Sequence, residues 1–173
     1  MKKDELASEV RALLNSKTLG LLSTYATAES EDKAAGFPFG SMVRFIIGES
    51  AEHKGQPIVM LSRIAEHSKH IAQMNKVSLL VSADFHADVQ QTARLTLLGE
   101  MEKLAADDPA LQQDSEIYFN HFAETREYFQ LLDFDFYRLK IIKGRYIGGF
   151  ARAHWLKDEI FGRRYCKAKD QTS

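Results

Sequence analysis

The hydrophobic residues of this chain come in short runs punctuated by Gly, Pro and polar clusters, and that spacing restricts the fold more than any other feature. Segments 18–26 (TLGLLSTYA), 38–48 (PFGSMVRFIIG), 57–62 (PIVMLS), 77–82 (VSLLVS) and 93–104 (ARLTLLGEMEKL) have the length and alternation of strands, with Gly99 as an expected bulge. Segments 134–142 (FDFYRLKII) and 145–155 (RYIGGFARAHW) read as two further strands across a Lys143-Gly144 turn. Helical spacing is confined to three places. At 4–16, Leu6, Val10, Leu13 and Leu14 recur behind an acidic first turn. At 64–74, Ile64, His67, Ile71 and Met74 share a face. At 107–132, Asp107 or Asp108 can cap and Pro109 suits a first helical position. There Tyr118, Phe119, Phe122, Tyr128 and Phe129 form an aromatic stripe that reads as core. Regular βα alternation is absent, which disfavours a doubly wound sheet. The expectation is a mainly β chain with helical insertions, an α+β fold built on a small closed barrel.

Composition narrows the class. With 173 residues, 45% hydrophobic and 27% charged, the chain suits one globular domain over 1–173, with a tail at 157–173. A net charge of −1 argues against a dedicated nucleic-acid binder. The apolar runs are far too short to cross a membrane. A lone Cys166 cannot form an intrachain disulfide or a Cys-rich zinc module. The start MKKDELASEV shows no signal peptide and no Asn begins a glycosylation sequon, so a cytoplasmic location is expected.

Familiar catalytic signatures are missing. There is no P-loop, no G-x-G-x-x-G after a strand, no H-E-x-x-H and no G-x-S-x-G. His67 and His70 form an i,i+3 pair, but no carboxylate or third histidine accompanies them as a ligand set, so no metal site is expected there.

Three segments carry possible binding chemistry. Phe37 to Arg44 places Gly40, Ser41 and the cation Arg44 at the start of a strand, which suits an anion beside an apolar surface or simply a tight turn. Around Leu61, a strand ends and a helix begins. Ser62, Arg63, His67, Ser68 and Lys69 lie within reach of that helix start, where a phosphate is favoured and a merely solvated polar face is the alternative. Gln90, Gln91 and Arg94 offer amides and a guanidinium to a heterocycle edge, or mark an ordinary strand entry.

Five segments in this order, GFPFGSMVRF, PIVMLSRIAEHSKHI, NKVSLLVS, ARLTLLGEMEKL and FYRLKIIKGRYIGGFARAHWL, resemble the pyridoxamine 5'-phosphate oxidase-related FMN-binding split-barrel superfamily. The branch they resemble holds haem-utilisation and CREG-type proteins, and the likeness covers roughly residues 10–156. It implies a six-stranded split β-barrel and a homodimer with cofactor sites between subunits. It also implies FMN as cofactor in an oxidoreductase acting on an unidentified small molecule. Ser41, Met42, Val43 and Arg44 would lie along the flavin, Leu61 and Ser62 at its ring, Arg63, His67, Ser68 and Lys69 at its phosphate, and Gln91 nearby. The oxidases carry an Arg-Lys pair where this chain has Glu66-His67, so Arg63 or Lys69 would have to replace it. The haem-utilisation relatives imply haem as the alternative ligand, with His154 or His67 on the iron. A cofactor-free binding module on the same barrel is the third reading.

Overall fold

The computed structural model describes residues 3–26, 35–84, 88–131, 133–149 and 152–161. Cys166 and most of the expected tail lie outside them. Four helices and seven strands follow the order α1 (Lys3–Asn15), β1 (Leu19–Tyr25), β2 (Pro38–Ile47), β3 (Pro57–Ser62), α2 (Glu66–Gln73), β4 (Lys76–Ser82), β5 (Arg94–Lys103), α3 (Pro109–His121), α4 (Thr125–Leu131), β6 (Phe134–Ile147) and β7 (Ala153–Lys157). The strands run antiparallel in the order β3-β2-β1-β4-β5-β6-β7, and β3 also pairs with β6. That last pairing closes a six-stranded barrel and leaves β7 as an appended strand.

Period-2 burial explains the interior. Leu22, Val43, Phe45, Val59, Leu61, Leu79, Val81, Leu95, Leu97 and Leu139 point inward, and Ala7, Val10, Leu13 and Leu14 of α1 plug one end. A second cluster forms outside the barrel. There Ile46, Ile58, Met60 and Phe136 turn outward beneath Leu111, Tyr118, Phe119 and Phe122. The uninterrupted apolar run of β3 follows from this arrangement: Val59 and Leu61 enter the barrel while Ile58 and Met60 pack under α3. Phe136 meets Tyr118, Phe119 and Phe129 at ring separations of 5.3, 5.7 and 5.2 Å.

Four expectations change. No turn forms at Lys143-Gly144; β6 runs through it, and the reversal falls at Gly148–Arg152, where Gly148 N–H donates to Arg152 O at 2.9 Å. Gly144 is glycine because a Cβ there would stand 2.9 Å from the Phe161 ring. The tail boundary moves too, since Ile160 and Phe161 are buried in the barrel core. The aromatic stripe is divided between two helices, and Tyr128 is exposed while Tyr118, Phe119 and Phe122 are buried. Finally, α2 begins at Glu66, so Ile64 precedes it and is exposed; Ser68, His70 and Ile71 form the buried face. Two expectations hold in detail. Asp108 caps α3 ahead of Pro109, accepting from Ala110 N–H at 2.8 Å, and the β5–β6 register shifts at Leu98/Gly99. No helix among the described residues is long and apolar enough to cross a membrane.

Phe136 joins the barrel to the helical layer, so Phe136→Ala should cost about 3–5 kcal/mol of unfolding free energy. A urea titration followed by circular dichroism measures this; a loss below about 1 kcal/mol would contradict the packing described.

Candidate functional site

Alternation along β2 divides its four expected site residues between two faces. Val43 points into the barrel core and Ser41 toward α2, where its hydroxyl lies 3.2 Å from His67 Nδ1. Met42 and Arg44 point outward and are exposed. Arg44 stacks over Phe122, 5.1 Å from the ring centre, and pairs with Glu124. The hydrogen bond from Arg44 holds the Glu124 carboxyl below its usual range.

The start of α2 gathers most of the remaining candidates. Leu61 is in the barrel core. Ser68 Oγ donates to Ser62 O at 2.7 Å, which spends that hydroxyl on closing the turn. Arg63 faces Asp133 at 3.2 Å and Asp135 at 3.7 Å, and Lys69 pairs with Glu66. His67 is half-buried; its Nε2 is enclosed and has no hydrogen-bond partner among the described residues. Burial first, and the neighbouring His70 second, push its pKa below the ordinary histidine value, so the neutral ring is favoured. His70 is buried with Nδ1 3.0 Å from Thr24 Oγ1, and Phe39 meets it edge-on at 5.3 Å.

Gln91 and His154 lie apart from this group. Gln91 bonds Asp88, its Nε2 donating at 3.2 Å, and its carbonyl faces Gly149 in the β6–β7 turn. His154 is half-buried opposite Tyr146, on the core-facing side of β7.

The sequence reading missed the outer face. The strand registers set Met42, Leu21, Leu80, Thr96, Arg145 and Trp155 in one row across β2, β1, β4, β5, β6 and β7. Leu98 and Lys143 pair in the next row, and Leu19 opposes Arg44 at the other side. Met42 is 63% exposed and Trp155 55%. Lys143 Nζ sits 4.2 Å and Arg145 Cζ 5.1 Å from the Trp155 ring centre, so two cations frame one exposed indole. Strand alternation hinted at such a face, but only register aligns residues so far apart in the chain. A separate cleft of about 370 Å³ opens between α1 and the β2–β3 loop; Arg11, Leu14, Ile47, Gly48, Lys54 and Phe161 line it, and none of the expected site residues does.

The family model described as "CREG, beta-barrel" matches residues 1–163. The chain belongs to that family. Among curated relatives of this CREG barrel is the "Non-canonical heme oxygenase HOZ, chloroplastic" of Arabidopsis thaliana, 30% identical over 161 residues, or 93% of this chain and 46% of the relative. The chain therefore spans about half of that relative's length. A haem-binding protein from Mycobacterium smegmatis superposes with a TM-score of 0.74 at 26% identity, covering 90% of this chain and 59% of that one. A putative pyridoxamine 5'-phosphate oxidase from Listeria innocua shares the fold with a TM-score of 0.59 at 15% identity, covering 83% and 99%. The split-barrel superfamily and the haem-related branch are thus both represented among its neighbours.

The lowered pKa of His67 has a signed consequence. The unfolded chain binds a proton at this site near pH 6.5, the folded chain only at lower pH, so stability falls as pH drops below about 6.5. His67→Gln should lessen the loss in urea midpoint between pH 7 and pH 5. An unchanged loss in the variant would show that another group carries it.

Proposed function

We propose that this chain is a haem-binding protein that works as a homodimer, with haem on the outer face between two copies. The row from Met42 to Trp155 carries the reading. At its β5–β7 end, the exposed Leu98 and Trp155 lie on the outer wall of adjacent strands, and Lys143 and Arg145 frame the indole. Haem is a flat apolar macrocycle with two carboxylates at one edge, and this end offers partners for both: Leu98 and the Trp155 indole for the ring, guanidinium and ammonium groups for the propionates. The curated relative's name, a haem oxygenase, points the same way. A second copy would cover Leu98 and Trp155, which one chain leaves in water.

Bound haem supplies an iron centre able to bind oxygen. The chain's own part is to hold the ring flat, neutralise the propionates and exclude water. The reading assigns neither His154 nor His67 to the iron, because one faces the core side of β7 and the other has its Nε2 enclosed.

The flavin reading, with its oxidoreductase activity, needs a phosphate cradle at the α2 start. There Arg63 and Lys69 are each held by carboxylates, the Ser68 hydroxyl is spent, and Glu66 is ionised, its pKa lowered chiefly by the hydrogen bond from Lys69. An incoming phosphate would have to displace those partners, which favours haem over FMN.

Titration of the purified protein with haemin should produce a saturable Soret band. Arg145→Ala should weaken binding about tenfold, the effect of losing one charge-assisted hydrogen bond. Leu98→Glu should convert a sedimenting dimer to monomer and weaken haem binding with it. A flavin spectrum on adding FMN, with no Soret band from haemin, would overturn the reading in favour of the flavin.

A further inference from the structure

The β2–β3 loop and the start of α3 hold a cluster that neither cofactor reading uses. Asp114, wholly buried on α3, accepts from the Glu49 and Ser50 backbone N–H groups at 2.9 and 3.0 Å and from Ser50 Oγ at 2.7 Å. It also lies 2.8 Å from His53 Nδ1. Two partners meet each of its oxygens, the Glu49 and Ser50 N–H groups at Oδ1 and Ser50 Oγ and His53 Nδ1 at Oδ2, so the carboxylate is fully engaged as an acceptor. An anionic acceptor at Nδ1 fixes the tautomer of His53 with its proton there, which leaves the Nε2 lone pair directed away from Asp114.

What Nε2 faces is the informative part. The His53 side chain is 1% exposed, and Nε2 lies 3.6 Å from Asp108 Oδ2, beyond hydrogen-bond reach. Asp108 Oδ1 is occupied in capping α3, so Oδ2 is the oxygen left over. Glu52, exposed on the adjacent turn, completes a group of three whose ligand atoms all lie within 4.8 Å of one another. Two donors bound to one tetrahedral zinc at about 2.0–2.2 Å stand roughly 3.3–3.6 Å apart, the spacing already present between Nε2 and Oδ2.

We propose that His53 Nε2, Asp108 Oδ2 and the Glu52 carboxylate form a site for a divalent transition-metal cation of the zinc class. Asp114 is the outer partner that orients the histidine, and a fourth position is open to water. One imidazole and two carboxylates suit zinc, cobalt or manganese better than magnesium, which prefers oxygen alone. The positive end of the α3 dipole opposes a cation, but Asp108, Asp114 and Glu52 bring three negative charges against it. The metal would tie the β2–β3 loop to the helical layer. The proposal is independent of whether haem or flavin binds elsewhere.

The test uses the intact protein after treatment with a chelator. Co²⁺ should give the visible d–d bands of a low-coordinate nitrogen and oxygen site, and Zn²⁺ should displace them and raise the thermal midpoint. Glu52→Gln changes an exposed side chain, and Asp108→Asn keeps a good helix cap, so both variants should fold. Each should weaken Zn²⁺ binding at least about tenfold, the loss seen for even an outer partner. His67→Gln should leave it unchanged. A protonated His53 could satisfy the same carboxylates without any metal. In that case Co²⁺ gives no bands, or gives bands indifferent to Glu52→Gln and Asp108→Asn, and either result overturns the assignment.

Discussion

The barrel depends on one uninterrupted strand. β6 lends one edge to β5 along almost its whole length and shares the other between two partners, β3 at Phe134–Arg138 and β7 at Lys143–Ile147. Without its first half the barrel stays open, and without its second half β7 has nowhere to pair. Gly144 admits the Phe161 ring against the strand, where a Cβ would stand 2.9 Å from its tip. Gly55 answers from the opposite side, with a positive φ of 81° and no room for a Cβ beneath the Phe161 carbonyl. The last described residue is thus clasped between two glycines nearly 90 positions apart in the chain.

Most of the strand pattern was legible because period-2 burial leaves its mark on residues. PIVMLS reads as a short, fully apolar strand, and it is apolar throughout because a barrel lies on one side of it and α3 on the other. The reading went astray where one residue type serves two purposes. Lys143-Gly144 has the composition of a hairpin turn, yet that glycine answers a packing demand made by Phe161, and a local window does not contain Phe161. Tyr128 belongs by spacing to the aromatic stripe, but α3 and α4 are separate helices, and the break between them turns it to solvent.

The candidate binding residues were legible as a list and not as an arrangement. Ser62, Arg63, His67, Ser68 and Lys69 do gather at the start of α2. The sequence could not reveal that Asp133 and Asp135 return from the far side of the helical layer to hold Arg63. Glu66, which departs from the oxidase pattern, proves to be the partner of Lys69. The outer row was invisible for a related reason: Met42 and Trp155 fall at the two ends of one row only after six strands are placed in register.

Closure of a barrel removes sheet edges, and here the removal is incomplete. β7 has one side on β6 and pairs with no other described strand, so it offers backbone donors and acceptors to any extended segment that meets it. The strand is five residues long and ends at Lys157, and both shortness and a terminal charge discourage open-ended stacking of chain upon chain. A longer or neutral β7 would turn the same architecture into a template for polymerisation, so part of what this small strand contributes is to keep one chain from extending the sheet of the next.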